Sequence, residues 1–137
     1  MTTPSASSLS RRQFLKRAAT ATALPLIVPG SVLGLNGAVA PSNRIAFGAL
    51  GVGNRALATL PNFLAFPEIQ FLAVSDSRAD RLKTAKGKVD AHYGNPDCKA
   101  DPDFRDLLAR PEVDAVLIAT GNRWHGLGSI YAARAGK

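Results

Sequence analysis

Cysteine is almost missing from this chain of 137 residues. The single one, Cys98, excludes an internal disulfide and has no partners nearby at metal-ligand spacing. It reads as a small apolar residue on a short strand. Acidic residues are missing from the first forty positions, where Arg11, Arg12, Lys16 and Arg17 are the only charged side chains. That lack accounts for most of the net charge of +7. Beyond residue 40, thirteen bases face ten acids, and the two signs alternate. Such a mixture lacks the one-signed stripe that nucleic acid requires, so no nucleic-acid partner is expected. The length allows one domain at most, large enough for a real core once the first forty residues are set aside.

Those forty residues read as an export signal. Ser10-Arg11-Arg12-Gln13-Phe14-Leu15-Lys16 resembles the bacterial twin-arginine pattern over its whole length. A mildly apolar stretch follows, and Ala38-Val39-Ala40 resembles a small-residue cleavage site. Delivery to the periplasm through the export machinery is therefore expected. Pro41 is a poor residue to follow a cut. The uncharged span from Ala18 to Asn43 is long enough to cross a bilayer and so offers an uncleaved anchor as the alternative. Pro25 and Pro29 argue against a stable membrane helix there.

The organising stretch is Arg44 to Ala56. Ile45, Ala46, Phe47, Ala49 and Leu50 form an apolar run broken only by Gly48, which suits a strand buried on both faces of a parallel sheet. Gly51-Val52-Gly53-Asn54-Arg55-Ala56 then fits G-x-G-x-x-[GA]. Gly51 permits a tight turn out of the strand, and Gly53 removes a Cβ where a pyrophosphate approaches. The small Ala56 lets helix and strand pack closely. The free N–H groups opening the helix, Asn54 and Arg55 among them, would face the phosphates. A second apolar strand, Ile69 to Ser75, ends at Asp76, 25 residues beyond Gly51. A carboxylate there accepts hydrogen bonds from ribose hydroxyls and repels a 2′-phosphate, favouring NAD over NADP. Arg55 and Arg78 are near enough in sequence to blur that preference. The alternative is that Asp76 caps the helix that follows.

Further along, the spacing predicts a helix from Asn54 to Ala65 with Leu57, Leu60 and Leu64 inward, kinked or restarted at Pro61. Ser77 is the expected N-cap of a helix from Arg78 to about His92, with Ala79, Leu82, Ala85 and Val89 buried and Gly94 as its stop. Arg81, Lys83, Lys86 and Lys88 read as a solvated face, and His92 as a surface residue. Cys98 to Ala100 suits a short third strand, and Asp101-Pro102 the start of a short helix through Phe104, Leu107 and Leu108. Asp97, Asp101, Asp103 and Asp106 lack the glycine and terminal glutamate of a calcium loop. Val113 to Ala119 is the fourth strand. Strand and helix thus alternate four times, which implies an α/β fold with a doubly wound parallel sheet.

After that strand come Thr120-Gly121-Asn122-Arg123-Trp124-His125. Together with the Gly51 to Ala56 loop, Asp76 and the closing Ala133-Arg134-Ala135-Gly136-Lys137, they resemble the glucose-fructose oxidoreductase/inositol dehydrogenase (Gfo/Idh/MocA) family. The resemblance covers residues 43–137. The family's loop reads T-P-[ND]-x-x-H; this chain keeps Thr120, Asn122 and His125 and has Gly121 for the proline. The resemblance implies that Thr120 and Asn122 line the nicotinamide half of the cofactor and that His125 starts the next helix beside it. On residues alone, the His-Trp pair suits packing over the sheet edge equally well. The resemblance further implies a Rossmann domain that binds NAD or NADP and works on a sugar or cyclitol. Similar exported proteins instead keep NAD bound and cleave glycosides, and a non-catalytic nucleotide-binding module is a third reading. The family's Glu-Lys-Pro motif and second, substrate-binding domain are not in these residues, so no catalytic residue is assigned. The expectation is an amino-terminal part with four of about six strands, its fourth strand an open apolar edge and oligomer formation left open.

Overall fold

The computed structural model describes residues 29–30, 32–35 and 39–137. The twin-arginine motif at Ser10 to Lys16 lies outside them. Among the described residues no helix is long and apolar enough to cross a membrane. A short 3-10 turn, Pro41–Asn43, leads into β1 (Ile45–Leu50), followed by α1 (Asn54–Leu64), β2 (Ile69–Ser75) and α2 (Ala79–Tyr93). Then come β3 (Lys99–Asp101), α3 (Phe104–Leu108), β4 (Ala115–Ile118) and α4 (Asn122–Arg134). The strands form one parallel sheet in the order β3-β2-β1-β4. Strand order therefore runs outward from β1 on one side, then resumes on its other side with β4. This reversal creates a switch point between β1 and β4, where open α/β sheets leave a crevice at their carboxyl ends.

The central place of β1 explains its apolar run. Gly48, Ala49 and Leu50 are buried, with helices over both faces. One face carries α1 and α2, whose Ala56, Leu60, Leu64, Leu82, Ala85 and Val89 close on Ala49, Phe71 and Val74. The rings of Phe47, Phe63 and Phe71 meet there with centroids 5.6–6.4 Å apart. The other face carries α3 and α4, whose Leu107, Leu108 and Ala132 cover Leu50 and Ala73. Gly48 is what lets α3 seat, because a Cβ there would lie 2.5 Å from Leu107 Cδ2.

The ladder between β1 and β2 slips once, pairing Phe47 with Phe71 but Gly48 with Ala73. Strand β3 pairs only with the later part of β2, leaving the earlier edge without a neighbour. Tyr93 fills that gap: its hydroxyl accepts from Phe71 N at 3.0 Å and donates to Ile69 O at 3.2 Å. Burial pushes this phenol's pKa up. On the far side of the sheet, Arg110 makes two 2.9 Å bonds to Asp101, fastening β3 to the approach of β4. Lys137 Nζ donates to Arg110 O at 3.0 Å and also to Val113 O.

Several local expectations are corrected. Helix α1 does not restart at Pro61 but runs through it to Leu64; Leu57 is half-buried, and Ala56 takes the inward place. Ser77 does not cap α2. No side chain caps α2, whose N-cap is Arg78; Asp76 shapes the turn ahead of it, its Oδ1 accepting Arg78 N–H at 3.0 Å, and Ala79 is exposed. Gly94 does stop α2, at φ 69°. The cap of α3 is Asp103, which accepts from Arg105 N at 2.9 Å, and not Asp101, which lies on β3. Strand β3 begins one residue later than read, with buried Cys98 just before it. Strand β4 is shorter than Val113 to Ala119, because Val113 is buried in the preceding loop. Helix α4 starts at Asn122 rather than at His125.

Candidate functional site

The carboxyl ends of β1, β2 and β4 meet at one turn. Gly51 leaves β1 with φ 75°, a conformation that side chains resist. Space forbids one as well: a Cβ at Gly51 would sit 2.8 Å and 2.9 Å from the Cα and N of Thr120. The turn is tied to both neighbours, since Gly51 N donates to Ser75 O at 2.8 Å and Ala119 N donates to Leu50 O at 2.9 Å. Val52 then plugs into the core, and Gly53 becomes the N-cap of α1 with no side-chain bond to the helix's first N–H groups. Gly121 stands in the same relation to α4. Two helices thus open toward the switch point with backbone donors that no side chain caps.

In front of this turn lies a cavity of about 390 Å³. Gly51 and Gly53 form its base. One wall is Asp76, Ser77 and Arg81; another runs from Pro102 to Arg105; Thr120, Gly121 and Trp124 close the third side. The Asp76 side chain is only 7% exposed and has Arg81 Nη1 at 3.8 Å from its Oδ2. Across the cavity, Asp103 and Arg105 form an exposed ion pair, and the Arg105 guanidinium holds the Asp103 carboxyl below the usual carboxylate range. Trp124 packs edge-on against Phe104 with centroids 6.3 Å apart, so an aromatic surface faces the acidic and basic wall. Thr120 Oγ1 is buried without a hydrogen-bond partner, alone among the described residues. A buried hydroxyl left so carries a cost that a ligand's polar atom would relieve.

Of the residues singled out in the sequence, the fold brings Gly51, Gly53, Asp76 and Thr120 to this cavity. Asn54 and Arg55 head α1 on its exposed side, outside the cavity wall. Asn122 and His125 are exposed in the first turn of α4 and also lie outside it. Asp76 is not the solvated helix cap of its alternative reading: its side chain is buried, Oδ1 accepts Arg78 N–H in the turn before α2, and Oδ2 stands 3.8 Å from Arg81 Nη1. Trp124 leans on Phe104 instead of covering the sheet edge. The sequence reading missed Arg81 and Phe104. Arg81 lies five residues beyond Asp76, off the i+3 and i+4 spacings that bring helix side chains together, so nothing in the sequence marked it. Phe104 carried no signal either.

No family model matches the chain. A glycosyl hydrolase family 109 protein of Saccharopolyspora erythraea is 38% identical over 96 residues, a match that takes in 68% of this chain and 21% of that protein. Among solved structures, a probable dehydrogenase from Thermotoga maritima superposes with a TM-score of 0.57 at 31% identity, covering 66% of this chain and 26% of the other. A 3-ketoreductase from Actinomadura kijaniata, solved as a point variant in complex with TDP-benzene and NADP, gives a TM-score of 0.58 at 29% identity, covering 69% and 28%. The chain therefore spans about a fifth to a quarter of the length of the proteins it matches. On sequence and fold together, this chain belongs to the Gfo/Idh/MocA family, whose Rossmann part it carries.

Proposed function

We propose that residues 43–137 are the dinucleotide-binding part of an NAD(P)-dependent oxidoreductase that acts on a sugar or cyclitol. The observation that carries this reading is the side-chain-free turn at Gly51 and Gly53, opening on a cavity at the switch point. The residues fit the ligand. A diphosphate would lie against the bare turn and the uncapped start of α1, where backbone N–H groups and the helix dipole favour an anion. Asp76 Oδ2 would accept from ribose hydroxyls, and the buried Thr120 hydroxyl would find the partner it lacks. Asn122 and His125, at the head of α4, and Asn54 and Arg55, at the head of α1, flank the cavity as outer contacts. NAD when bound supplies a hydride acceptor at its nicotinamide ring. The contribution of these residues is to orient it and to hold its charged middle against the sheet.

A second reading, glycoside cleavage with retained NAD, is favoured by the family 109 name of the relative from Saccharopolyspora erythraea. In a protein of the relatives' length the two part on stoichiometry. An oxidoreductase generates reduced cofactor in step with product, whereas a glycosidase of this kind releases sugar with no net consumption of NAD.

Export through the twin-arginine route, with residues 1–40 as the signal segment, is supported by the Ser10 to Lys16 motif. Cell fractionation tests it: Arg11→Lys together with Arg12→Lys should hold the protein in the cytoplasm, and an unchanged periplasmic yield would remove the proposal. For the cofactor, calorimetric titration of the 137-residue chain with NAD should show one saturable site. Folded protein that takes up neither NAD nor NADP would overturn the assignment.

A further inference from the structure

We propose that Arg81 is the residue that ranks a phosphorylated against a plain adenosine ribose in this cavity, an inference resting on the dinucleotide reading above. From sequence alone the cations close to Asp76 were Arg55 and Arg78. The fold sets neither guanidinium against that carboxylate. Arg78 pairs with Asp80 on the exposed surface through bonds of 3.0 Å and 2.7 Å, and Asp80, with a smaller contribution from Asp76, raises its pKa. Arg55 lies outside the cavity wall. Arg81 replaces them. Its Nη1 stands 3.8 Å from Asp76 Oδ2 and 3.3 Å from where a Gly53 Cβ would be.

This placement puts one guanidinium between the acid that meets a ribose and the turn that meets a diphosphate. At 3.8 Å it offsets the Asp76 charge without a hydrogen bond to lock it, and its side chain is 41% exposed and so has room to move. Asp76 cannot turn away, because its other oxygen is held by Arg78 N–H at 3.0 Å. A buried carboxylate fixed in that way would by itself repel a 2′-phosphate. With Arg81 beside it the local charge is near zero. The planar guanidinium also offers paired donors that match phosphate oxygens. The cavity consequently takes both dinucleotides, with Arg81 carrying the affinity for the phosphorylated one and Asp76 that for the plain one.

Calorimetry on the full chain tests this with NAD and NADP as the two probes. The wild-type protein should bind them within about tenfold of each other. Arg81→Ala should weaken NADP by about tenfold or more and NAD by far less, since a bond to a charged group is at stake. Arg81→Lys should restore part of the loss, Asp76→Ala should weaken NAD more than NADP, and Arg78→Ala should leave the ratio unchanged. The loss in Arg81→Ala should also flatten the salt dependence of NADP binding. A ratio unmoved by Arg81→Ala while both ligands still bind would overturn the role of Arg81 and leave the dinucleotide reading standing. Failure of folded wild-type protein to bind either would overturn both.

Discussion

The two faces of the sheet are built to different depths. Helices α1 and α2 lay two apolar stripes on their face, where Phe71, Leu60 and Val89 are at most 2% exposed. On the opposite face α3 is barely more than one turn, and α4 sends only Gly128 and Ala132 fully inward. Its Trp124, Leu127, Ile130 and Tyr131 remain 37–56% exposed. The cavity is bounded from both sides: Gly53, Asp76 and Arg81 belong to the deep face, and Thr120, Gly121 and Trp124 lead into the shallow one. The difference teaches that the diphosphate and ribose end of the proposed site is held by the stable half. The end nearer Trp124 rests on a helix with little buried area and so has the lower cost of local opening.

That contrast predicts unequal losses of stability. Phe71→Ala removes the ring shared by Phe47 and Phe63 and should cost about 3–5 kcal/mol in urea unfolding. If an equally buried residue of the shallow face, Leu107, were to cost clearly more on replacement by alanine, the ranking of the faces would be reversed. Gly51→Ala comes next. Its positive φ alone costs about 1–3 kcal/mol, and the new Cβ meets Thr120 backbone, so dinucleotide binding should vanish along with that stability. A folded variant that still binds NAD would separate the turn from the site.

Cys98 sharpens the comparison by pH. Burial under α2 is the main cause that pushes its thiol up to about 11 from an ordinary value of 9.0. Between those values the folded protein keeps the proton and the unfolded chain releases it. Stability from this group is therefore complete below pH 9 and declines toward pH 11, by about 2 kcal/mol. Wild-type protein should lose more stability over that range than Cys98→Ala does, in parallel denaturation curves. Equal slopes would mean that the deep face admits water around the sulfur. The smallest effect belongs to α4: Leu127→Ala on its exposed side should change stability by about 0.5 kcal/mol or less. A larger loss would show that this helix is better seated than its exposure suggests.

Much of the fold was legible because its signals are local. An apolar run before two glycines allows one strand and one turn, and β1, β2 and the stop of α2 at Gly94 appear where periodicity puts them. Caps were read less well. Ser77 and Asp101 are good cap residues by type, but α2 opens with no side-chain cap, and α3 is capped by Asp103, whose carboxylate reaches the free N–H two residues on. Of the candidate site, Gly51, Gly53 and Asp76 were legible from spacing. Arg81 read as one of four solvated cations, since nothing in sequence distinguishes the one whose helix turn points back at the acid.

What the residues settled unaided was the order of strands and helices and the bare turn after the first strand, both consequences of backbone conformation and burial within a few residues. What only the packed chain decided was which distant groups share the cavity. Thr120 closes on Gly51, Phe104 meets Trp124, and Arg81 rather than Arg78 or Arg55 reaches Asp76. Those pairings depend on how four strands order themselves around β1, and that order is set by the burial of whole faces, which no short stretch of sequence encodes.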